Sequence, residues 1–97
     1  MEERTRYILL YDYYETLFTL KQKAYFEDYY FNNLSLGEIS LNYNVSRNAV
    51  YQQLKRVEVK LEEYESKLKL YEKGLKLDKI IKMIDNPNLK ALLKEIE

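Results

Sequence analysis

The 97-residue chain has no cysteine, no histidine and no tryptophan, one proline and two glycines. Without cysteine there can be no disulfide, no thiolate zinc site and no cysteine nucleophile. Without histidine the usual general base and the commonest metal ligand are missing. The two glycines, Gly37 and Gly74, fall in no phosphate-cradling pattern. No run approaches the roughly 18 apolar residues that a membrane span needs, and nothing resembles a signal peptide. A cytoplasmic location without membrane insertion is expected. An excess of either charge is lacking too, since 16 basic and 16 acidic residues cancel to a net charge of zero. Each carboxylate lies on a charged helix face near a lysine, so none stands out as an isolated acid or base. The chain is therefore expected not to be an enzyme, with no catalytic residue, no metal ion and no cofactor.

What is present is aromatic and periodic: eleven tyrosines and three phenylalanines, spaced by threes and fours. A chain of this length makes one small domain with a modest core. No strand alternation occurs, so the expected fold is all-α. Residues 4–18 predict a first helix, with Tyr7, Leu10, Tyr11, Tyr14, Leu17 and Phe18 on one stripe. Thr19 and Gln22 form a capping box that opens a second helix, which runs to about Asn32 with Tyr25, Phe26, Tyr29 and Tyr30 on its apolar face. Asn32 and Asn33 read as a turn.

The stretch from Leu34 to Val50 reads as helix, tight turn, helix. Ser35 and Glu38 form a second capping box, and a short helix over about 36–43 ends at Asn44, a residue that tolerates the left-handed conformation. Ser46 caps the next helix. Leu36, Ile39, Val45, Ala49, Val50 and Leu54 seal the pair. This leaves Ser46, Arg47, Asn48, Tyr51, Gln52, Lys55 and Arg56 as candidate nucleic-acid-binding residues. At the start of a recognition helix such side chains reach base edges and phosphates in a major groove: arginine suits guanine, asparagine suits adenine. The same residues could equally serve a protein partner.

From Arg47 to Lys73 there is neither glycine nor proline, and Val50, Leu54, Val57, Leu61, Tyr64, Leu68 and Tyr71 alternate spacings of four and three. The pattern predicts one long helix over about 47–73 with a heptad seam. With Tyr7, Leu10, Tyr14 and Leu17 of the first helix it supplies a candidate core or dimer seam. Either helix one folds onto it, or a second subunit does, or both; a homodimer is expected. Gly74 reads as the stop. Helices over about 76–85 and 88–96, separated by Asn86-Pro87-Asn88, then form a hairpin that packs on the long helix. The expected division is 1–73 for the helix-turn-helix domain and 74–97 for the hairpin.

Four blocks resemble the YlxM family of small bacterial helix-turn-helix proteins. They are Leu10 to Gln22 (LYDYYETLFTLKQ) with Tyr25-Phe26-Glu27-Asp28-Tyr29-Tyr30, Leu34 to Ser40, Val45 to Tyr51, and Lys55-Arg56-Val57-Glu58 with Leu61 to Glu65. The resemblance covers about residues 7–73. It implies a fold like region four of bacterial sigma factors and a DNA-binding regulatory role. Because genes of the family tend to sit beside the gene for the signal recognition particle protein, it also implies a role in that pathway. The alternative is an interaction module that binds the particle's protein, its receptor or its RNA without sequence-specific DNA binding.

Overall fold

The computed structural model describes residues 2–97, and among them the chain is all helical. The elements are α1 (Glu3–Tyr14), a 3-10 turn (Glu15–Leu17), α2 (Leu20–Tyr30), α3 (Leu36–Tyr43), α4 (Arg47–Leu68), α5 (Leu70–Lys82) and α6 (Pro87–Ile96). The molecule is elongated, 54 × 24 × 24 Å.

Local chemistry sets most of the helix starts. Thr19 accepts the Gln22 N–H at 3.1 Å and the Gln22 side chain accepts the Thr19 N–H at 3.1 Å, so two orphan donors are satisfied together. Ser35 and Glu38 repeat the arrangement at 3.1 and 3.0 Å. Asn86 accepts the N–H groups of Asn88 and Leu89 at α6, where Pro87 occupies the first turn with no donor to lose.

The core is a cluster of α1, α2, α3 and α4. Leu10, Tyr14, Phe26, Ile39, Val50, Val57 and Leu61 are fully buried in it. Each such side chain is worth roughly 1.5–3 kcal/mol of transfer free energy. The rings pack closely: Tyr11 and Phe26 stack at 4.1 Å between centroids, and Phe26 and Tyr30 at 4.4 Å. Between α1 and α4, Arg6 forks onto Glu62, Nε to Oε1 at 2.6 Å and Nη2 to Oε2 at 3.0 Å. Arg4 reaches back from α1 to the carbonyls of Tyr29 and Tyr30 at 2.9 and 3.1 Å, placing a cation on the carbonyl end of α2.

Several helix ends differ from the periodicity. α1 stops at Tyr14, and the tighter turn that follows swings Leu17 outward to 52 % exposure and Phe18 inward. α2 ends at Tyr30 and Asn33 turns the chain in the left-handed region. The helix predicted over 47–73 is broken: α4 ends at Leu68, Lys69 adopts φ 55°, and α5 begins at Leu70. Gly74, expected as the stop, lies inside α5, which also ends earlier than predicted, at Lys82. A Cβ at Gly74 would overlap the Tyr13 hydroxyl, so this glycine permits the close approach of α1 and α5.

The break has a visible cause. Glu65, in the last turn of α4 and only 8 % exposed, turns its carboxylate onto the start of α5. It accepts the N–H groups of Tyr71 and Glu72, both at 3.1 Å, and the Tyr14 hydroxyl at 2.6 Å. The Tyr14 oxygen in turn accepts the Leu70 N–H at 3.1 Å. Two side chains from other helices thus satisfy the first three amides of α5 and set a carboxylate at its positive end.

Candidate nucleic-acid interface

α3 and α4 form the helix-turn-helix, and the turn between them is held by backbone hydrogen bonds. Asn44 takes the left-handed conformation at φ 54°. Its N–H reaches the Leu41 carbonyl at 3.4 Å, and the Val45 N–H reaches the Ser40 carbonyl at 3.0 Å. This is the pair of bonds that closes a helix with a Schellman motif, with asparagine in the position glycine usually fills. Ser46 is extended, and its hydroxyl accepts the Ala49 N–H at 3.0 Å, so α4 starts at Arg47. Ile39 of α3 and Val50 and Leu54 of α4 are buried, which fixes the face that α4 presents outward.

On that face Ser46, Arg47, Asn48, Tyr51, Gln52, Lys55 and Arg56 are all exposed. They share one continuous surface over the first three turns of α4. Among the described residues, none of Arg47, Lys55 and Arg56 has a carboxylate within ion-pair distance. The acidic groups nearest in sequence are engaged elsewhere. Glu38 closes its capping box, and those Ser35 hydrogen bonds hold its carboxyl below the usual range. Glu58 accepts the Tyr30 hydroxyl at 2.7 Å, and Glu62 pairs with Arg6. A chain with no net charge therefore still presents three cations with no acid between them.

The candidate seam residues divide into two groups. Tyr7, Leu10 and Tyr14 of α1 meet Val57, Leu61 and Tyr64 of α4 within one chain, with the rings of Tyr14 and Tyr64 5.8 Å apart. Leu17 and Leu68 are exposed, and Tyr71 belongs to α5, where its ring meets that of Tyr13 at 6.1 Å.

Comparison with known proteins places this geometry. All of residues 1–97 match the model of the UPF0122 family, described as “Putative helix-turn-helix protein, YlxM / p13 like”. The chain belongs to this family. Among UPF0122 relatives, one from Bacillus licheniformis is 52 % identical over 64 residues, 66 % of this chain and 60 % of the relative. One from Bacillus velezensis is 51 % identical and one from Bacillus thuringiensis 50 %, each over 64 residues that make up 66 % of this chain and 58 % of the relative. The aligned stretch thus spans about three fifths of the curated relatives' length. The family's description thus names the helix-turn-helix that α3 and α4 form.

Sequence reasoning missed Gly37. The Arg47 guanidinium lies across it: a Cβ built there would stand 2.9 Å from Nη2 and 3.1 Å from Nε. Glycine early in a helix, where no turn calls for it, is the one signal that could have pointed to a close approach. Leu41 and Tyr43 of α3 were missed as well: Leu41 is 83 % exposed, and Tyr43 is partly exposed while its hydroxyl reaches Asp28 at 3.1 Å.

Proposed function

We propose that this UPF0122 protein is a DNA-binding regulator that reads duplex DNA through the first three turns of α4, in the manner of sigma factor region four. The observation that carries the reading is the exposed face from Ser46 to Arg56, with three cations and no carboxylate at the start of the second helix of a helix-turn-helix. The proposal includes a cytoplasmic location, where the chromosome lies, and action as a homodimer. Its test is binding to duplex DNA across a salt series. Phosphate contacts release counterions, so the affinity should fall steeply as salt rises. Arg47→Ala and Lys55→Ala should each weaken binding; unchanged affinity in both would remove these residues from the site.

A second reading is favoured by the neutral net charge and by the exposed apolar side chains of α5, α6 and the turn between them, among them Met83 at 79 % and Ile96 at 71 % exposure. Under it the helix-turn-helix is a scaffold, and the partner is the protein or RNA of the signal recognition particle, or the particle's receptor. A saturable signal on the purified particle protein or its RNA, with a flat response on duplex DNA, would select this reading. Recovery of none of these partners would discard it.

A further inference from the structure

The exposed face of α4 is not uniform in its chemistry. Counting about 100° per residue from Arg47, the buried Val50, Leu54 and Val57 fall at about 300°, 340° and 280°. The exposed residues occupy the opposite half. Tyr51, Lys55, Asn48 and Gln52 fall at about 40°, 80°, 100° and 140°, while Arg47 and Arg56 stand at the two ends of the arc, about 0° and 180°. The midline thus carries two carboxamides, a phenol and one ammonium, and its borders each carry a guanidinium. The two arginines thus stand about 180° apart around the helix, one toward each side of a groove that the helix would occupy.

Arg47 is further restrained. Its guanidinium rests on the bare backbone of Gly37, in the first turn of α3. In a helix-turn-helix the first helix crosses the phosphate backbone while the second enters the groove. A guanidinium drawn toward α3 is therefore aimed at phosphate and away from base edges. Asn48 and Gln52 are four residues apart on one line of the helix, roughly 6 Å between their Cβ atoms, near two steps of about 3.4 Å along a strand. A carboxamide donates an N–H to the ring nitrogen N7 of adenine and its oxygen accepts from the adenine amino group; guanine, with two acceptors there, offers no such match.

Resting on the DNA reading above, we infer that Asn48 and Gln52 are the specificity-determining residues and select adenines two steps apart, while Arg47 and Arg56 clamp phosphates on the two walls of the groove. The site prefers A·T-bearing duplex, and the guanine contact that arginine could have made at position 47 is absent.

The experiment is selection of the full chain on randomised duplexes, followed by salt titrations of the winner with wild type, Asn48→Ala, Gln52→Ala, Arg47→Ala and Arg56→Ala. All four changes lie on the exposed face, and helix content by circular dichroism checks that each variant folds. Wild type should enrich adenines at that spacing, and replacing them with 7-deazaadenine, which lacks N7, should weaken binding about tenfold. The two carboxamide variants should lose the enrichment and keep the salt slope. The two arginine variants should keep the enrichment and lose about one unit of slope each. Enrichment of guanine that disappears in Arg47→Ala would overturn the inference, as would steep salt dependence with no base preference. Wild type showing no salt-dependent binding to duplex DNA would instead remove the DNA reading on which it rests.

Discussion

Tyr11, Tyr14 and Tyr30 each bury a ring and send the hydroxyl to a carboxylate: Glu27 at 2.7 Å, Glu65 at 2.6 Å and Glu58 at 2.7 Å. Tyr7 and Tyr43 make the same kind of bond to Glu3 and Asp28 nearer the surface. A phenol next to an anion and out of water resists losing its proton. Burial and the bond to Glu65 push Tyr14 up to about 12; burial, then the bond to Glu3, does the same for Tyr7. Tyr11 and Tyr30 are raised by the same two causes, burial first. The unfolded chain loses these protons near 10, so above that pH it binds fewer protons than the fold does. The stabilisation is complete below about pH 10 and is lost as the pH climbs toward 12. Tyrosinate absorbance and circular dichroism followed together should show unfolding in that window, with the buried phenols ionising as the helices melt. Ionisation of all eleven tyrosines near 10 with the helices intact would contradict these contacts.

The break between α4 and α5 shows what a helix end requires when its cause is not local. Lys69 has no Cβ-free route into the left-handed region, which costs a residue of its kind roughly 1 kcal/mol. The partly buried bonds of Glu65 and Tyr14 to three backbone amides offset that cost. Tyr14→Phe removes the acceptor of Leu70 and the donor to Glu65, and about 1.5–3 kcal/mol of stability should go with it. Glu65→Gln should loosen the same amides. Hydrogen exchange should quicken at Leu70, Tyr71 and Glu72 while Val57 and Leu61 stay protected; unchanged exchange at those three amides would show that something else fixes the break. The capping boxes at Thr19 and Ser35 were legible because each closes within four residues of chain. So was the turn at Asn44, whose chemistry is its own. The break at Lys69 was not, because the Tyr14 that helps make it lies 51 residues from Glu65 and the heptad pattern runs straight through. Gly37 shows the same limit in the candidate site. Which residues of α4 face out follows from period, but that Arg47 lies on a glycine of the preceding helix does not.

At the scale of the whole molecule the seam changes its meaning. The unbroken stripe from Val50 to Tyr71, with the apolar face of helix one, is the ground for expecting a homodimer. Its first half is covered by α1, α2 and α3 of the same chain, with Val50, Val57 and Leu61 wholly buried. Farther on, α5, the turn after it and α6 leave a run of apolar side chains open. Leu75, Ile80, Met83, Leu89, Leu92 and Ile96 are each between 46 and 79 % exposed, and α6 buries no residue fully. Exposed apolar side chains gathered in one hairpin mark an interaction surface, and a two-fold axis lets such a surface meet its own copy. A dimer joined there would leave the outward face of α4 free on both protomers. Sedimentation at tens of micromolar should find wild type dimeric and the double substitution Leu92→Glu, Ile96→Glu monomeric. Changes at such exposed positions usually alter folding stability by less than about 0.5 kcal/mol, so the monomer should keep its helix content. A monomeric wild type would end the dimer proposal; a doubly substituted protein that stays dimeric would move the interface off α6. The monomer is informative for the DNA reading too, since two half-sites bound through one dimer fall to one. It should keep contact with a single half-site and lose the added affinity of the paired one.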